Sequence, residues 1–320
     1  MAVSATDTPT KVLVTEDGAI GENGANGANG TGFSLVRAFL LSNPVLRILK
    51  RNEVARVLTG NIDYSRNSTA TYFDIYGDFQ SVSNDILRQS ANGYRFDGES
   101  TNLLLNSESP VTQVVNLAAD DYVLSMTGTG SVDTVDGSAT EGSPLLFNNS
   151  GNINFQVSGT VDTFQVEQGV CETSFIITDG TAKTRSKDVM TLDLAGNIPN
   201  LTTDFSVLFG LNTICNDFCV IDSTPLRVEI NSSGFIEVNG VASIASYSNV
   251  NLVSVIGVNT LIYVDGVLAD TISVTYSNVP TGSVRVAART DDSKPLIGDL
   301  LDLNIYDFGL NADEALFLKG

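Results

Sequence analysis

The chain contains no histidine and no tryptophan, and only three of its 320 residues are cysteine. Without histidine it cannot build a Ser-His-Asp or Cys-His nucleophile, a histidine general base, or the histidine-containing sites that usually hold zinc or iron. Without tryptophan, stacking on a sugar ring falls to tyrosine and phenylalanine. Cys171 stands alone, and Cys215 and Cys219 are four apart. Three cysteines are too few for a zinc site or a disulfide framework, so they read as buried or half-buried thiols of a reducing compartment. Positive charge is scarce as well: 17 lysines and arginines against 37 acids leave a net charge of -20. Such a field repels phosphate backbones and argues against nucleic acid as a partner. No run of 18 apolar residues occurs, so no helical membrane span is expected. The start, MAVSATDTPTKVLVTEDG, lacks a basic stretch followed by an apolar one, so no secretory signal is expected either.

What remains is apolar and turn-rich. Hydrophobic residues make up 42% of the chain and charged ones 17%, with 28 glycines, which suits folded β structure and not an acidic disordered tail. The charge is unevenly spread. Residues 1–60 carry six lysines and arginines against five acids, and residues 61–320 carry eleven against thirty-two, so the two stretches are expected to have different tasks. Glycine recurs every third residue from Gly21 to Gly30, but without proline the tract is too short for a triple helix and reads as a flexible linker. Residues 33–58 place Leu35, Phe39, Leu46 and Leu49 at helical spacing, interrupted at Asn43-Pro44, which predicts two short helices. Arg37, Arg47, Lys50, Arg51 and Arg56 against Glu53 make this segment basic beside an acidic body. A basic, apolar peptide behind a loose tail is expected to anchor the chain to a larger assembly.

From residue 60 onward short strands alternate with turns. Ala70 to Asp74, Tyr94 to Phe96, Tyr122 to Met126, Asn152 to Val157, Thr160 to Val166 and Ser174 to Thr178 read as strands of a first sandwich. Phe205 to Leu211, Leu226 to Ile230, Phe235 to Val238, Leu252 to Ile256, Leu261 to Val264, Thr271 to Thr275, Ser283 to Ala287 and Leu300 to Tyr306 read as a second. Asn239-Gly240 and Asp265-Gly266 suit tight antiparallel hairpins. A short helix is expected after Leu310, with Asn311 as N-cap and Glu314 completing a capping box. The expected fold is all-β: two antiparallel β-sandwich domains over 60–190 and 201–320, of jelly-roll type, with a seam at 194–200. A flexible tail over 1–32 and a basic helical anchor over 33–59 precede them.

Three stretches carry more than periodicity. They are Ser65-Arg66-Asn67-Ser68-Thr69-Ala70-Thr71-Tyr72-Phe73-Asp74 with Gly77 following, Thr101-Asn102-Leu103-Leu104-Leu105-Asn106-Ser107, and Glu167-Gln168-Gly169 with Thr173-Ser174-Phe175-Ile176-Ile177-Thr178, Gly180, Thr184-Arg185 and Asp188. In this order they resemble a group of bacteriophage virion proteins, namely tail fibres, tail spikes and head decorations with concanavalin-like sandwich domains. Residues 201–320 resemble the laminin-G-like module that often follows, through Ile262-Tyr263-Val264-Asp265-Gly266 and Pro295 to Tyr306. The resemblance implies a virion structural protein assembled in the host cytoplasm. It implies a homo-oligomer that is usually a trimer, and attachment to a host-surface glycan; contacts to other virion proteins are expected through the basic anchor in residues 1–59, which is not a general feature of that group. A purely architectural role in the capsid or tail is the plainer alternative.

The motif residues themselves read as structural. Thr101, Asn102 and Ser107 can bond neighbouring backbone. Arg66 and Arg185 are scarce cations expected to pair with Asp74, Asp188 or Glu167. Ser68, Tyr72, Gly169 and Ser174 belong to the same pattern. Tyr247, Asn249, Tyr276 and Asn278 are candidates for a sugar-binding surface. Asp265, Asp291, Asp292 and Asp299 offer hard oxygens to calcium, although no loop has the spacing of a calcium motif, and no other cofactor is expected. A polysaccharide-degrading glycoside hydrolase would need two facing carboxylates. Glu229, Glu237, Asp299, Asp302 and Asp307 are available, but no spacing distinguishes a pair among them, so the protein is expected not to be an enzyme.

Overall fold

A computed structural model describes residues 46–49, 62–193, 204–213, 215–223, 226–276 and 283–319. Every strand pairing among them is antiparallel. The all-β expectation holds, with one short helix, α1 (Ala312–Leu318), closed by the Asn311–Glu314 capping box. No described helix is long and apolar enough to cross a membrane.

The main body is a two-sheet sandwich. One sheet runs β22 (Val267–Ile272), β21 (Asn259–Val264), β20 (Val250–Ile256), β15 (Phe205–Asn212), β24 (Gly298–Tyr306), β6 (Gly93–Phe96) and β5 (Arg88–Ser90). The other runs β19 (Val241–Ser246), β18 (Phe235–Val238), β17 (Arg227–Ile230), β16 (Phe218–Asp222), β23 (Ser283–Val286), β14 (Val189–Asp193) and β2 (Ile62–Ser65). Val207, Phe209 and Leu211 of one sheet meet Val228, Ile230, Ile236 and Val286 of the other in a closed apolar core. Strand β15 is buried along nearly its whole length, because Leu208 on its outer face packs under Tyr306, Leu310 and Ala315 of the C-terminal segment. This double burial explains why its sequence is a continuous apolar run instead of an alternating one. Asn239 and Gly240, and likewise Asp265 and Gly266, all have positive φ, as their hairpins require.

Strand pairing crosses the seam expected at 194–200, which itself lies outside the described residues. β2, β5, β6 and β14 come from the stretch read as a first sandwich, yet they extend the two sheets built by the second. The physical reason is edge protection. β23 and β24 would otherwise present unpaired backbone, and the added strands cover those edges while delivering Phe96 and Met190 to the main core. Residues 113–168 then form a separate five-stranded sheet in the order β10 (Gly137–Ala139), β9 (Ser131–Thr134), β11 (Leu145–Ser158), β8 (Gln113–Thr127) and β12 (Thr163–Gln168). It has its own core of Leu124, Phe147, Phe155, Phe164 and Val166. Two small ribbons complete the chain: β3 (Ala70–Phe73) with β4 (Phe79–Val82), and β7 (Ser100–Asn102) with β13 (Lys183–Arg185).

Two local expectations are corrected. Leu46–Leu49, expected within a helix, forms strand β1 and pairs with Leu303 to Ile305 of β24. Four residues, three of them apolar, suit either state, and the open edge of β24 beyond β6 selects the strand. The rest of the anchor, with Arg37, Lys50, Arg51 and Arg56, and the glycine tract lie outside the described residues. Ser174 to Thr178 is not in a strand. Side chains replace its ladder partners: Gln165 Oε1 accepts from Ile176 N–H at 3.0 Å and Ser107 Oγ accepts from Thr178 N–H at 2.8 Å.

Candidate functional site

The sequence motifs converge on a buried ion network at the junction of these parts. Arg66 sits just after β2 and reaches Asp188 at 3.2 Å, one of the pairings expected from sequence. Arg88 of β5 bridges Asp188 and Asp97, the latter at 2.7 Å. Arg185 of β13 binds Asp97 at 2.8 Å, and Arg95 of β6 binds its other oxygen at 3.0 Å. Tyr64 donates to Asp188, and Ser174 Oγ donates to Asp97 at 2.6 Å. Burial alone would raise the Asp97 carboxyl, but Arg185, Arg95 and Arg88 outweigh it and hold the group well below the usual carboxylate range. Arg88, Asp97 and Tyr64 escaped the sequence reading, because Asp97-Gly98 looks like a plain turn. The available signal was the scarcity of arginine in an acidic chain, which makes each arginine within the strand pattern notable.

The remaining motif residues fix backbone. Asn102 donates to the Phe164 and Ile176 carbonyls at 3.3 and 2.9 Å and accepts from the Leu104 and Val166 amides at 3.1 and 3.2 Å. Asn102→Ala strands these buried groups together and is expected to cost about 2–3 kcal/mol, read from the urea midpoint with an unchanged slope. Thr101 and Thr184 share a hydroxyl bond at 2.7 Å, and Ser68 Oγ accepts from Ser186 N–H at 3.0 Å. Glu167 is buried and takes bonds from Gln165 and Thr173, and burial outweighs these to raise its carboxyl. Gly169, with φ +123°, donates to the Asp121 carbonyl. Asp74 does not join the ion network; it caps the β3–β4 turn by accepting from Tyr76 and Asp78 amides.

Beside this network lies a cleft of about 430 Å³, bounded by the β3–β4 ribbon, the five-stranded sheet and the Arg95–Asp299 end of the main sandwich. Phe73 and Phe79, 58% and 43% exposed, share one wall with Phe175, at ring separations of 5.5 and 6.2 Å along the series. Tyr72 also lines it, and Ser174 links it to the ion network. Asn92, Glu141, Glu172 and Gln165 supply polar groups. Tyr72, Phe73, Asp74, Ser174 and Phe175 belong to the sequence motifs and Asp299 to the candidate carboxylates, but Phe79, Asn92, Glu141, Gln165 and Glu172 carry no sequence signal, since the lining comes from segments far apart in the chain.

The four residues proposed for a sugar surface are not brought together as one. The Tyr247 ring packs edge-on to Phe218 and its hydroxyl bonds the Thr213 and Cys215 carbonyls. Tyr276 packs on Phe205, and burial raises its hydroxyl to about 12. Asn249 is exposed, and Asn278 lies outside the described residues. Among the described residues no three carboxylates or thiols gather as a metal ion needs. Asp265 accepts from Ser248, Asp291 from Ser293, and Asp292 pairs with Lys187 and Arg285. Glu229 is clamped by Arg289, on the sheet opposite to Asp299 and Asp302. Glu237 is its cross-strand neighbour, and Asp307 is exposed.

The cysteines differ from expectation. Cys171 and Cys215 are bonded, with Cα atoms 6.0 Å apart, and Cys219 is the buried free thiol. Cys219 lies within β16, where its side chain enters the interior, while Cys215 lies in the preceding loop and meets Cys171. The bond ties the segment that begins the cleft wall, Glu172 to Phe175, to the main sandwich.

No protein-family model and no curated protein matches the chain. Among solved structures it is similar to the binding domain of botulinum neurotoxin DC in complex with rat synaptotagmin II, at 17% identity and TM-score 0.31 over 42% of this chain and 40% of that one. It is also similar to a botulinum neurotoxin type C structure whose cell entry depends on two ganglioside molecules, at 16% identity and TM-score 0.31 over 47% and 45%. The chain spans less than half the length of either structure. At such scores the likeness carries no argument about what this chain binds.

Proposed function

We propose that the protein is a non-catalytic saccharide-binding β-sandwich, carried on a virion, whose cleft attaches to a surface glycan. The observation that carries this reading is the cleft itself: exposed phenylalanine rings on one wall face a ring of hydrogen-bonding side chains. Sugars present that same pairing, apolar C–H faces with hydroxyl edges, and well-formed concave sites of this size are where small ligands bind. The virion setting and a trimeric assembly are supported by the resemblance of the three sequence motifs to phage virion proteins, and the anchoring through residues 1–59 by the basic, apolar sequence of that segment.

A bacterial-surface glycan array probed with the full chain tests the reading. Binding to at least one saccharide is expected, weakened about tenfold or more in Phe79→Ala, since loss of a central aromatic contact commonly exceeds 1.4 kcal/mol. Equal binding by the variant, or an array with no positive saccharide, would overturn it.

A further inference from the structure

The cleft that walls itself with three phenylalanines is lined by four carboxylates, Asp74, Glu141, Glu172 and Asp299, against one arginine, Arg95. That arginine is already spent: its Nε and Nη2 both donate to Asp97 Oδ1, at 3.2 and 3.0 Å. Asp74 is committed to its turn. Asp299 differs from the others. The residue is 6% exposed; Ser90 and Asn212, the latter at 3.4 Å from Oδ2, hydrogen-bond its carboxyl, and its Oδ1 has no partner. A buried carboxylate oxygen without a donor is costly and marks a place where something else completes the structure. Burial raises the Asp299 carboxyl despite the neighbouring Arg95, so its negative charge is under-compensated where it stands.

A neutral hydroxyl would satisfy the empty acceptor but not the charge. An ammonium group satisfies both, and it is also the group attracted to the faces of aromatic rings. Carboxylated or sulfated sugars would meet the four lining acids and be repelled. We infer that the cleft takes a saccharide bearing ammonium groups, with Asp299 receiving the ammonium between the phenylalanine wall and the sandwich. This inference rests on the saccharide reading and narrows its ligand class.

Calorimetric titration of the full chain with glucosamine oligomers and with N-acetylglucosamine oligomers of equal length, in mildly acidic low-salt buffer, isolates the charge on one sugar backbone. The amine oligomer is expected to bind about tenfold tighter or better, the gain of a hydrogen bond to a charged partner. Asp299→Asn is expected to shrink that preference to within about threefold, and Glu172→Gln, elsewhere in the cleft lining, to reduce it by a smaller factor. Circular dichroism confirms that each variant is folded, which is expected for Asp299→Asn because it removes an uncompensated buried charge. Equal or weaker binding of the amine oligomer by the wild type overturns the inference, and the saccharide reading survives if Phe79→Ala still loses the acetylated oligomer. A preference that persists undiminished in Asp299→Asn also overturns it. Binding of neither oligomer overturns it too, and the saccharide reading then stands or falls on the array.

Discussion

Asp97→Asn is expected to lower the unfolding free energy by about 3–5 kcal/mol, the usual cost of removing one partner from a buried ion pair. Asp97 is fully enclosed and serves three arginines, of which Arg88 and Arg185 are themselves buried. The asparagine keeps the shape but leaves Arg88 and Arg185 short of a counter-charge in a place closed to water. Arg88 retains Asp188, but Asp188 also serves Arg66 and Tyr64, and Arg185 has no other carboxylate partner among the described ion pairs. The exposed pair Lys183–Asp179 provides the contrast, and Asp179→Asn is expected to cost about 0.5 kcal/mol or less. Urea unfolding of the two variants side by side checks this; comparable small losses would show that the network contributes little. The sign with pH follows from the depressed folded value of Asp97. Its stabilisation is fully present above the unfolded carboxylate value of about 4 and is lost progressively as pH falls from there to below the lower folded value.

Opening the Cys171–Cys215 bond is expected to cost about 4 kcal/mol on the chain-entropy account, because the bond closes a loop across 44 residues. The effect has a local part. Glu172 to Phe175 follow Cys171 directly and form part of the cleft, so Cys171→Ser with Cys215→Ser is expected to weaken saccharide binding as well as stability. Unfolding with and without reductant measures the first effect and the glycan array the second. An unfolding curve indifferent to reductant would contradict the assignment.

Much of this architecture is legible in the residues. Asn239-Gly240 and Asp265-Gly266 announce their hairpins because few residues tolerate two positive φ angles in succession, and Asn311 with Glu314 announces the helix start. Arg66 takes Asp188, one of the three carboxylates expected, since a scarce cation in a strand-rich, acidic chain needs one, whereas Arg185 takes Asp97, which was not among them. Partner choice between distant strands is another matter. Nothing within Val189–Asp193 or Gly93–Phe96 states that they pair with Ser283–Val286 and with Gly298–Leu300, strands far along the chain. The same limit applies to Leu46–Leu49, which is apolar enough for a helix and becomes a strand only because β24 has a free edge. The cleft was hidden for a related reason: Phe79, Glu141 and Glu172 are unremarkable in their own segments, and Phe175 and Asp299, notable there on other grounds, line a cleft only by convergence.

The most direct test of the account is a crystal structure of the full chain soaked with the tightest saccharide from the array. The account predicts the sugar in the cleft, with its apolar face on Phe79 and a donor on Asp299 Oδ1. A saccharide seated elsewhere on the sandwich, with the cleft unchanged, would contradict it.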